Sequence, residues 1–278
     1  MVADGRPGRL FIVSTPIGNL GDFSFRAVET LQSVALVLAE DTRHSRPLLD
    51  RHGVATPMQS YHEHNEAKST PAIVARLISG DDIALISDAG TPLLSDPGGR
   101  LVAAAAAAGV TIVPIPGASA LLAALVGCGL PTDRFRFYGF PARKGRERRE
   151  LFAEIAASPD TSVLYEAPGR VGDTLADLVA AGMGEQQAVV ARELTKQFEE
   201  FRRGTVAALA AYYADTPARG EVVLLVAGRP NAPLDEQALR ALTVTLRETG
   251  LLPSAVAAQL VQETGCPRNL AYRLAHEP

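Results

Sequence analysis

Cysteine is scarce in this chain of 278 residues, where only Cys128 and Cys266 occur. They lie far apart in unlike contexts, which excludes a disulfide framework and the repeated spacing of a zinc cluster, so a reducing cytoplasm is the expected location. Lysine is scarce as well: Lys68, Lys144 and Lys196 are overwhelmed by arginine, a bias of composition rather than of chemistry. No run of about 18 apolar residues is present, so no membrane-crossing helix is expected. The longest alanine-rich stretch, Leu101 to Ala108, reads as a buried helix. Met1 to Gly8 is short and polar, without the apolar centre of a signal peptide. Charge of one sign is not in excess either. With a formal net charge of −4, any nucleic-acid contact has to come from a local basic patch. No repeat of fixed period is visible.

What is present is 47% hydrophobic and 21% charged residues with 24 Gly and 19 Pro, enough to bury one or two cores. Apolar β-branched runs predict strands over 10–14, 34–39, 83–87 and 110–115, separated by helical patterns around Phe25, Val28 and Leu31 and over the alanine-rich stretch. Continuous apolar strands alternating with helices argue for a parallel or mixed sheet covered on both faces. The pattern restarts after Phe140-Pro141, with strands over 162–166, 188–193 and 221–227 and helices around 171–180 and 206–213. Beyond Pro230 it becomes purely helical, broken at Leu251-Pro253 and Gly265-Pro267. The expected organisation is two α/β domains, 9–130 and 131–230, and a small helical appendage, 231–278.

Three Gly/Pro-rich loops follow predicted strands and could share one crevice at the carboxyl edge of a sheet. The first, Thr15 to Asp22, has glycines that admit close backbone approach. It lacks both Gly-Lys-Ser/Thr and G-x-G-x-x-G, which excludes a phosphate loop and a dinucleotide fingerprint, and a plain tight turn remains its alternative. The second, Ser87 to Gly99, is too long and too rigid to be mere connection. Its Asp96, before Pro97 and Gly98, is read as a cap for the following helix in preference to a metal ligand. The third, Pro114 to Ala120, offers free N–H groups at a helix start, where Ser119 caps or an anion docks.

Elsewhere, Asp41 ends the second strand, where a dinucleotide fold would grip ribose hydroxyls, and it can equally cap the helix beginning near Thr42; Arg43 and His44 beside it could orient a phosphate or nucleobase, with a surface role open for His44. The cluster from Tyr61 to Glu66 places His62, Glu63 and His64 on a loop without the i, i+4 spacing of a zincin helix, so no metal is expected. Lys144, Arg146, Arg148 and Arg149, flanked by Phe137, Tyr138 and Phe140, form the dense basic run with nearby aromatics. Arginines bind phosphates and rings stack on exposed bases, although Glu147 and Glu150 also permit a solvated helix face. Arg192, Lys196, Arg202 and Arg203 could extend the same track, which Glu193, Glu199 and Glu200 temper in the same way.

The blocks TPIGNLGD (15–22), AEDTRH (39–44), YHEHNE (61–66), ISDAGTPLLSDPG (86–98), PIPGASA (114–120), GFPARKGRERR (139–149), LYEAPGR (164–170), ARELTKQFEEFRRGT (191–205) and GEVVLLVAG (220–228) resemble the tetrapyrrole (corrin/porphyrin) methylase superfamily. Within it they are most similar to the branch that acts on small-subunit ribosomal RNA. The likeness runs from about Leu10 to Gly228. Gly169 and Phe198 depart from it, standing where the branch has histidine, so neither imidazole belongs to a mechanism here.

The resemblance implies two α/β domains with a cosubstrate cleft between them and a homodimer. It also implies S-adenosylmethionine-dependent methylation of the ribose 2′-hydroxyl of a cytidine in the decoding region of 16S rRNA. Carried onto this chain, it places the cosubstrate against Pro16, Leu20, Asp88, Ala89, Gly90, Thr91, Pro92, Ser119, Ala120, Tyr165, Glu166, Ala167, Leu194 and Thr195. Arg43, His44, Lys144, Arg146, Arg148, Arg149, Arg170 and Lys196 are the expected RNA contacts within the small ribosomal subunit. A ribose hydroxyl is a poor nucleophile, so a proton acceptor is expected among Asp41, His62, Glu63 and Glu166. Two alternatives stay open: a methyltransferase of a small tetrapyrrole-like substrate, and a non-catalytic RNA-binding assembly factor.

Overall fold

A computed structural model of the protein describes residues 6–229 and 236–277. Met1–Gly5 of the polar N-terminus and 231–235 of the expected appendage lie outside the described residues. The chain divides into two compact units, one of 1–156 with 160–227 and one of 157–159 with 228–278.

The larger unit holds two sheets. The first is built from β1 (Arg9–Val13), β2 (Leu36–Ala39), β3 (Met58–Ser60), β4 (Ile83–Ile86) and β5 (Thr111–Ile115), in the order β3-β2-β4-β1-β5. All four pairings are parallel. The intervening helices are α1 (Phe25–Ser33), α2 (Thr42–Arg51), α3 (Glu63–Ile78) and α4 (Gly99–Ala107), with α5 (Ala120–Cys128) leaving β5. Alternate side chains serve opposite faces: Leu10 and Ile12 pack with Ile73, Leu77 and Leu101, while Phe11 and Val13 pack with Ala27, Leu31 and Leu49. Burial on both faces is why these strands read as unbroken apolar runs.

The second sheet runs β6 (Phe135–Phe137), β7 (Thr161–Glu166), β10 (Val222–Val226), β8 (Gln187–Arg192) and β9 (Glu200–Thr205) in spatial order. Only β6 and β7 are parallel; the other neighbours are antiparallel. One face carries Leu164, Val190 and Leu224 against α6 (Arg146–Ala157), α7 (Val171–Leu178) and α8 (Val206–Asp215). The other face carries Val163, Val189 and Leu225 against Leu121, Ala124 and Leu125 of α5. The helix that closes the first sheet's chain therefore covers the second sheet.

The sequence did not predict β3, β6 or β9. Each is the edge strand of its sheet, paired on one side only, so none needs the continuous apolar run of a central strand. The smaller unit is helical, as expected, with α9 (Glu236–Glu248), α10 (Pro253–Thr264) and α11 (Arg268–His276) closing on Leu239, Val256, Leu260 and Leu274.

Candidate functional site

The three loops foreseen at the strand ends are tied into one wall. Thr15 and Gly90 exchange backbone hydrogen bonds, Thr15 N to Gly90 O at 2.8 Å and Gly90 N to Thr15 O at 3.1 Å. The hydroxyls of Ser14 and Thr91 meet at 3.0 Å, and Thr91 Oγ1 donates to Ala118 O at 3.1 Å. Each of the loops after β1, β4 and β5 is thus hydrogen-bonded to another. Gly117 is required here, because a Cβ at that position would sit 2.9 Å from Ser14 Cβ.

Behind this wall lies a cavity of about 340 Å³ reaching across to the second sheet. Ile17, Leu94, Leu194 and Val223 supply apolar walls, and Ser119 and Ala120 bring the start of α5 to its edge. Ser119 caps that helix, its hydroxyl accepting from Leu122 N. Tyr165 is wedged beside it, its hydroxyl accepting from Leu121 N at 3.2 Å and its ring edge-on to Phe137 at 4.8 Å. The backbone is strained on both sides. Leu93, Ser95, Glu193 and Thr195 hold φ of 74°, 71°, 49° and 67°, each costing about 1–3 kcal/mol in a non-glycine residue. Leu94, Ser95 and Leu194 within these two segments line the cavity.

Of the residues assigned to the cosubstrate, Asp88, Ala89, Gly90 and Thr91 line this cavity from the first sheet's side, and Tyr165, Glu166, Ala167 and Leu194 from the second. Pro16 and Leu20 line a neighbouring cavity of about 530 Å³ that shares Ile17, Asp88, Ala89 and Glu221 with the first and adds His44, Arg51 and Lys196. Pro92 and Thr195 line neither. Phe140, Ser95, Asp96 and Glu221 also line the first cavity. Sequence reasoning had given Ser95 and Glu221 no role, had read Asp96 as a helix cap, and had placed Phe140 only among the aromatics flanking the basic run.

The carboxylates differ sharply in surroundings. Glu166 is fully buried and spent: it pairs with Arg170, accepts from Thr174 Oγ1 at 2.5 Å and from Ala167 N at 2.8 Å. Asp41 caps α2, accepting from Arg43 N at 2.8 Å and from the Arg43 guanidinium, which holds its carboxyl down at about 2. Neither His62 nor Glu63 lines either cavity, nor does Asp41. The expected loop at His62, Glu63 and His64 is instead the beginning of α3. His62 is its N-cap residue, and the Asn65 side chain accepts from His62 N at 2.9 Å.

Asp96 does not cap the helix that follows it. The N-cap of α4 is Gly98, at φ 126° and without a side-chain cap. The Asp96 carboxyl instead lines the cavity, in no ion pair among the described residues, and burial, reinforced by the charge of Asp88 and only partly offset by the Ser87 hydroxyl, pushes it up to about 6. Glu40 is raised as well, first by burial and then by Asp96 and Asp88. Asp88 itself accepts from Asp41 N at 3.1 Å.

The basic run splits. Lys144, Arg146 and Arg149 are exposed, Arg146 pairing with Glu150 at 2.5 Å. Arg148 is turned inward, which corrects its expected place on the RNA-facing surface. Its Nε meets Asp177 at 2.6 Å, Nη1 donates to Ala142 O at 3.0 Å, Nη2 to Thr174 Oγ1 at 2.9 Å, and the guanidinium lies 4.7 Å over the Phe152 ring. Its place on the inner face of α6, invisible in a run of arginines, decides this. Arg43 is exposed and paired with Asp41, Arg170 is engaged by Glu166, and Lys196 bridges Glu193 at 2.9 Å and Glu221 at 3.0 Å. Arg202 and Arg203 face their own fold: the first lies 4.0 Å over Tyr212, and the second donates to Gly127 O and Cys128 O at the end of α5.

Comparison with known proteins matches residues 9–210 to the profile described as Tetrapyrrole (Corrin/Porphyrin) Methylases. A relative from Synechocystis, named Ribosomal RNA small subunit methyltransferase I, is 47% identical over 275 residues, covering 97% of this chain and 98% of its own. One of the same name from Pseudomonas aeruginosa is 48% identical over 276 residues, 96% of each chain. Among solved structures, uroporphyrin-III C-methyl transferase from Thermus thermophilus, complexed with S-adenyl homocysteine, superposes with a TM-score of 0.57 at 17% identity, covering 79% of this chain and 97% of that one.

Proposed function

The chain belongs to the tetrapyrrole (corrin/porphyrin) methylases, and from that membership we infer that it transfers a methyl group from S-adenosylmethionine to small-subunit ribosomal RNA. The acceptor in this reading is the ribose 2′-hydroxyl of a cytidine in the decoding region of 16S rRNA. The observation that carries it is the cavity at the ends of β1, β4 and β5, whose rim includes Phe140, the residue that leads directly into the exposed basic loop of Lys144, Arg146 and Arg149.

The cavity suits the cosubstrate. Ile17, Leu94 and Leu194 offer the apolar slot an adenine ring requires, Asp88 an acceptor for ribose hydroxyls, and the start of α5 at Ser119 and Ala120 free N–H groups for a carboxylate. When bound there, S-adenosylmethionine supplies an electrophilic methyl on a sulfonium. The protein's part is to hold the acceptor oxygen in line, because positioning alone accounts for much of the barrier lowering in such displacements. Tyr165 and Ser119 fix the α5 terminus, and the mutually bonded loops keep Asp88 and Thr91 in register. His44 and Lys196, in the adjoining cavity, stand where an incoming nucleotide and its phosphate would lie. Phe140, 57% exposed, offers a stacking face for a base drawn out of its helix.

The sheet membership of the strands supports lobes of 9–130 and 131–230, with 231–278 as an appendage. Action in the cytoplasm follows from the rRNA substrate, and among the described residues no helix is long and apolar enough to cross a membrane. A homodimer is favoured by Leu122 and Val126, which leave α5 52% and 82% exposed; light scattering on Val126→Glu, expected to be monomeric, tests it. The whole reading is tested by incubating the protein with unmodified small subunits, or with free 16S rRNA, and labelled methyl donor, followed by nucleoside mass spectrometry. Label in a 2′-O-methylcytidine is expected. Label on a tetrapyrrole instead, or tight RNA binding without transfer, overturns it.

A further inference from the structure

Four carboxylates line the first cavity: Asp88, Asp96, Glu166 and Glu221. Glu166 is consumed by Arg170, Thr174 and its neighbouring backbone, and Glu221 by Lys196. Asp88 receives the Asp41 N–H. Among the described residues Asp96 is in no ion pair and receives no backbone N–H, the nearby Ser87 hydroxyl donating to Ala89 O at 3.2 Å and Gly90 O at 3.4 Å. It faces like charge from Asp88 and Glu40 and the Tyr165 phenol, with Glu166 and Glu221 elsewhere on the cavity wall. Ser95 immediately before it is held in the left-handed region, with its hydroxyl against Gly139. The loop thus spends backbone strain to turn this carboxyl toward the cavity rather than let it cap α4.

We propose that Asp96 is the proton acceptor of the methyl transfer, an inference that rests on the rRNA 2′-O-methylation reading. Asp96 takes the proton that the ribose oxygen sheds as that oxygen bonds to the methyl carbon. The carbon–sulfur bond breaks in the same step, its electron pair stays with sulfur, and Asp96 then releases the proton to water. A cavity-lining carboxylate with neither a cation nor a backbone N–H to hold its charge, and with two others near it, binds a proton more readily than one so held, and burial lifts Asp96 toward neutrality, where a general base works best.

The test uses the full chain, with Asp96→Asn as near-isosteric variant and Asp96→Glu as rescue. In ligand-free protein, carboxyl ¹³C resonances are titrated, and the one absent from Asp96→Asn is expected to turn over near pH 6; a turnover in the ordinary carboxylate range overturns the proposal. S-adenosylhomocysteine is expected to bind wild type and Asp96→Asn within about threefold in calorimetry, because the reaction loses a proton acceptor and not a binding group. The single-turnover rate of Asp96→Asn on small subunits should fall roughly 100-fold or more, lose the acidic limb of its pH profile, and recover in part in Asp96→Glu. An unchanged rate, or a raised KM with unchanged kcat, overturns the role of Asp96 and leaves the rRNA reading standing. Wild-type protein that fails to methylate rRNA in the same assay overturns both.

Discussion

Replacing Arg148 by alanine separates a structural arginine from an RNA-binding one. The side chain is 8% exposed and joins Asp177, Thr174 and the Ala142 carbonyl. Removing one partner of a buried ion pair costs about 3–5 kcal/mol. Asp177, with 48% of its side chain exposed, rehydrates on release, which places the loss near the lower end, about 3 kcal/mol. For a folded unit of this size each kcal/mol moves Tm by about 2–4 °C, so a drop of roughly 6–12 °C is expected in a circular-dichroism melt. Arg148→Met, which keeps an apolar stem against Phe152, should lose less. RNA affinity is then measured at several salt concentrations at a temperature where all variants are folded. The slope of log K against log salt should be unchanged in Arg148→Ala, whereas Lys144→Ala and Arg149→Ala should each flatten it by about 0.7. An Arg148→Ala protein that melts with wild type and shows a flattened slope would refute the inward assignment.

At Gly98, φ 126° and a Cβ position 2.5 Å from Leu85 Cδ2 predict that Gly98→Ala lowers the urea midpoint by the equivalent of about 2 kcal/mol; a neutral substitution would show that the loop relaxes freely. Asp82 is held below its ordinary pKa because bonds from Arg9, at 2.7 Å to the backbone N and 2.6 Å to the guanidinium, outweigh its burial. Its stabilisation is therefore complete above the unfolded value and lost as pH falls through the lower folded one. Asp82→Asn should cost about 1 kcal/mol at pH 7 and converge on wild type in acid, a pattern that equal losses at both pH values would contradict. Asp96 has the opposite sign. Its pKa is raised from 3.8 to about 6, so its contribution is full below the unfolded value and lost as pH rises through the folded one. Asp96→Asn should melt above wild type at pH 8, by about 1–2 kcal/mol after solvent screening, and the advantage should shrink below pH 4. A variant less stable than wild type at pH 8 would count against it.

The central strands were legible because both of their faces are buried, and burial on two faces leaves an uninterrupted apolar run in the sequence, as in β4 and β10. Edge strands such as β9, written Glu-Phe-Arg-Arg-Gly-Thr, need only one partner and carry charges that sequence reading took for an RNA track. The loops were legible for a different reason: clustered Gly and Pro mark turns, because these residues adopt at little cost backbone that others avoid. Side-chain direction was not. Whether Arg148 points inward, or Asp96 caps a helix or faces a cavity, depends on the phase of a helix and on the φ of the residue before it, and neither is written in composition. The strained conformations of Leu93, Ser95, Glu193 and Thr195 left no trace either, since these residues ordinarily avoid that region.

Such strain persists only where the surroundings over-determine the backbone, and α5 is the element that does so here. Its start, with Ser119 and Ala120, forms the edge of the cavity. Its body buries Leu121, Ala124 and Leu125 against the second sheet, and its end is held by Arg203 through the Gly127 and Cys128 carbonyls. Gly127 lets the Phe201 ring of β9 lie directly against the helix backbone, where any Cβ would collide. The helix is thus fixed at both ends and along one face by groups from the second sheet, while β5 delivers it from the first. A ligand entering the cavity meets loops whose geometry was fixed by core packing on folding rather than by the ligand. Leu94 and Leu194, each set between two left-handed residues, pack into the same apolar cluster as Leu121 and Leu125 of α5, so the strained segments are anchored on a helix that the second sheet holds in a close-packed core.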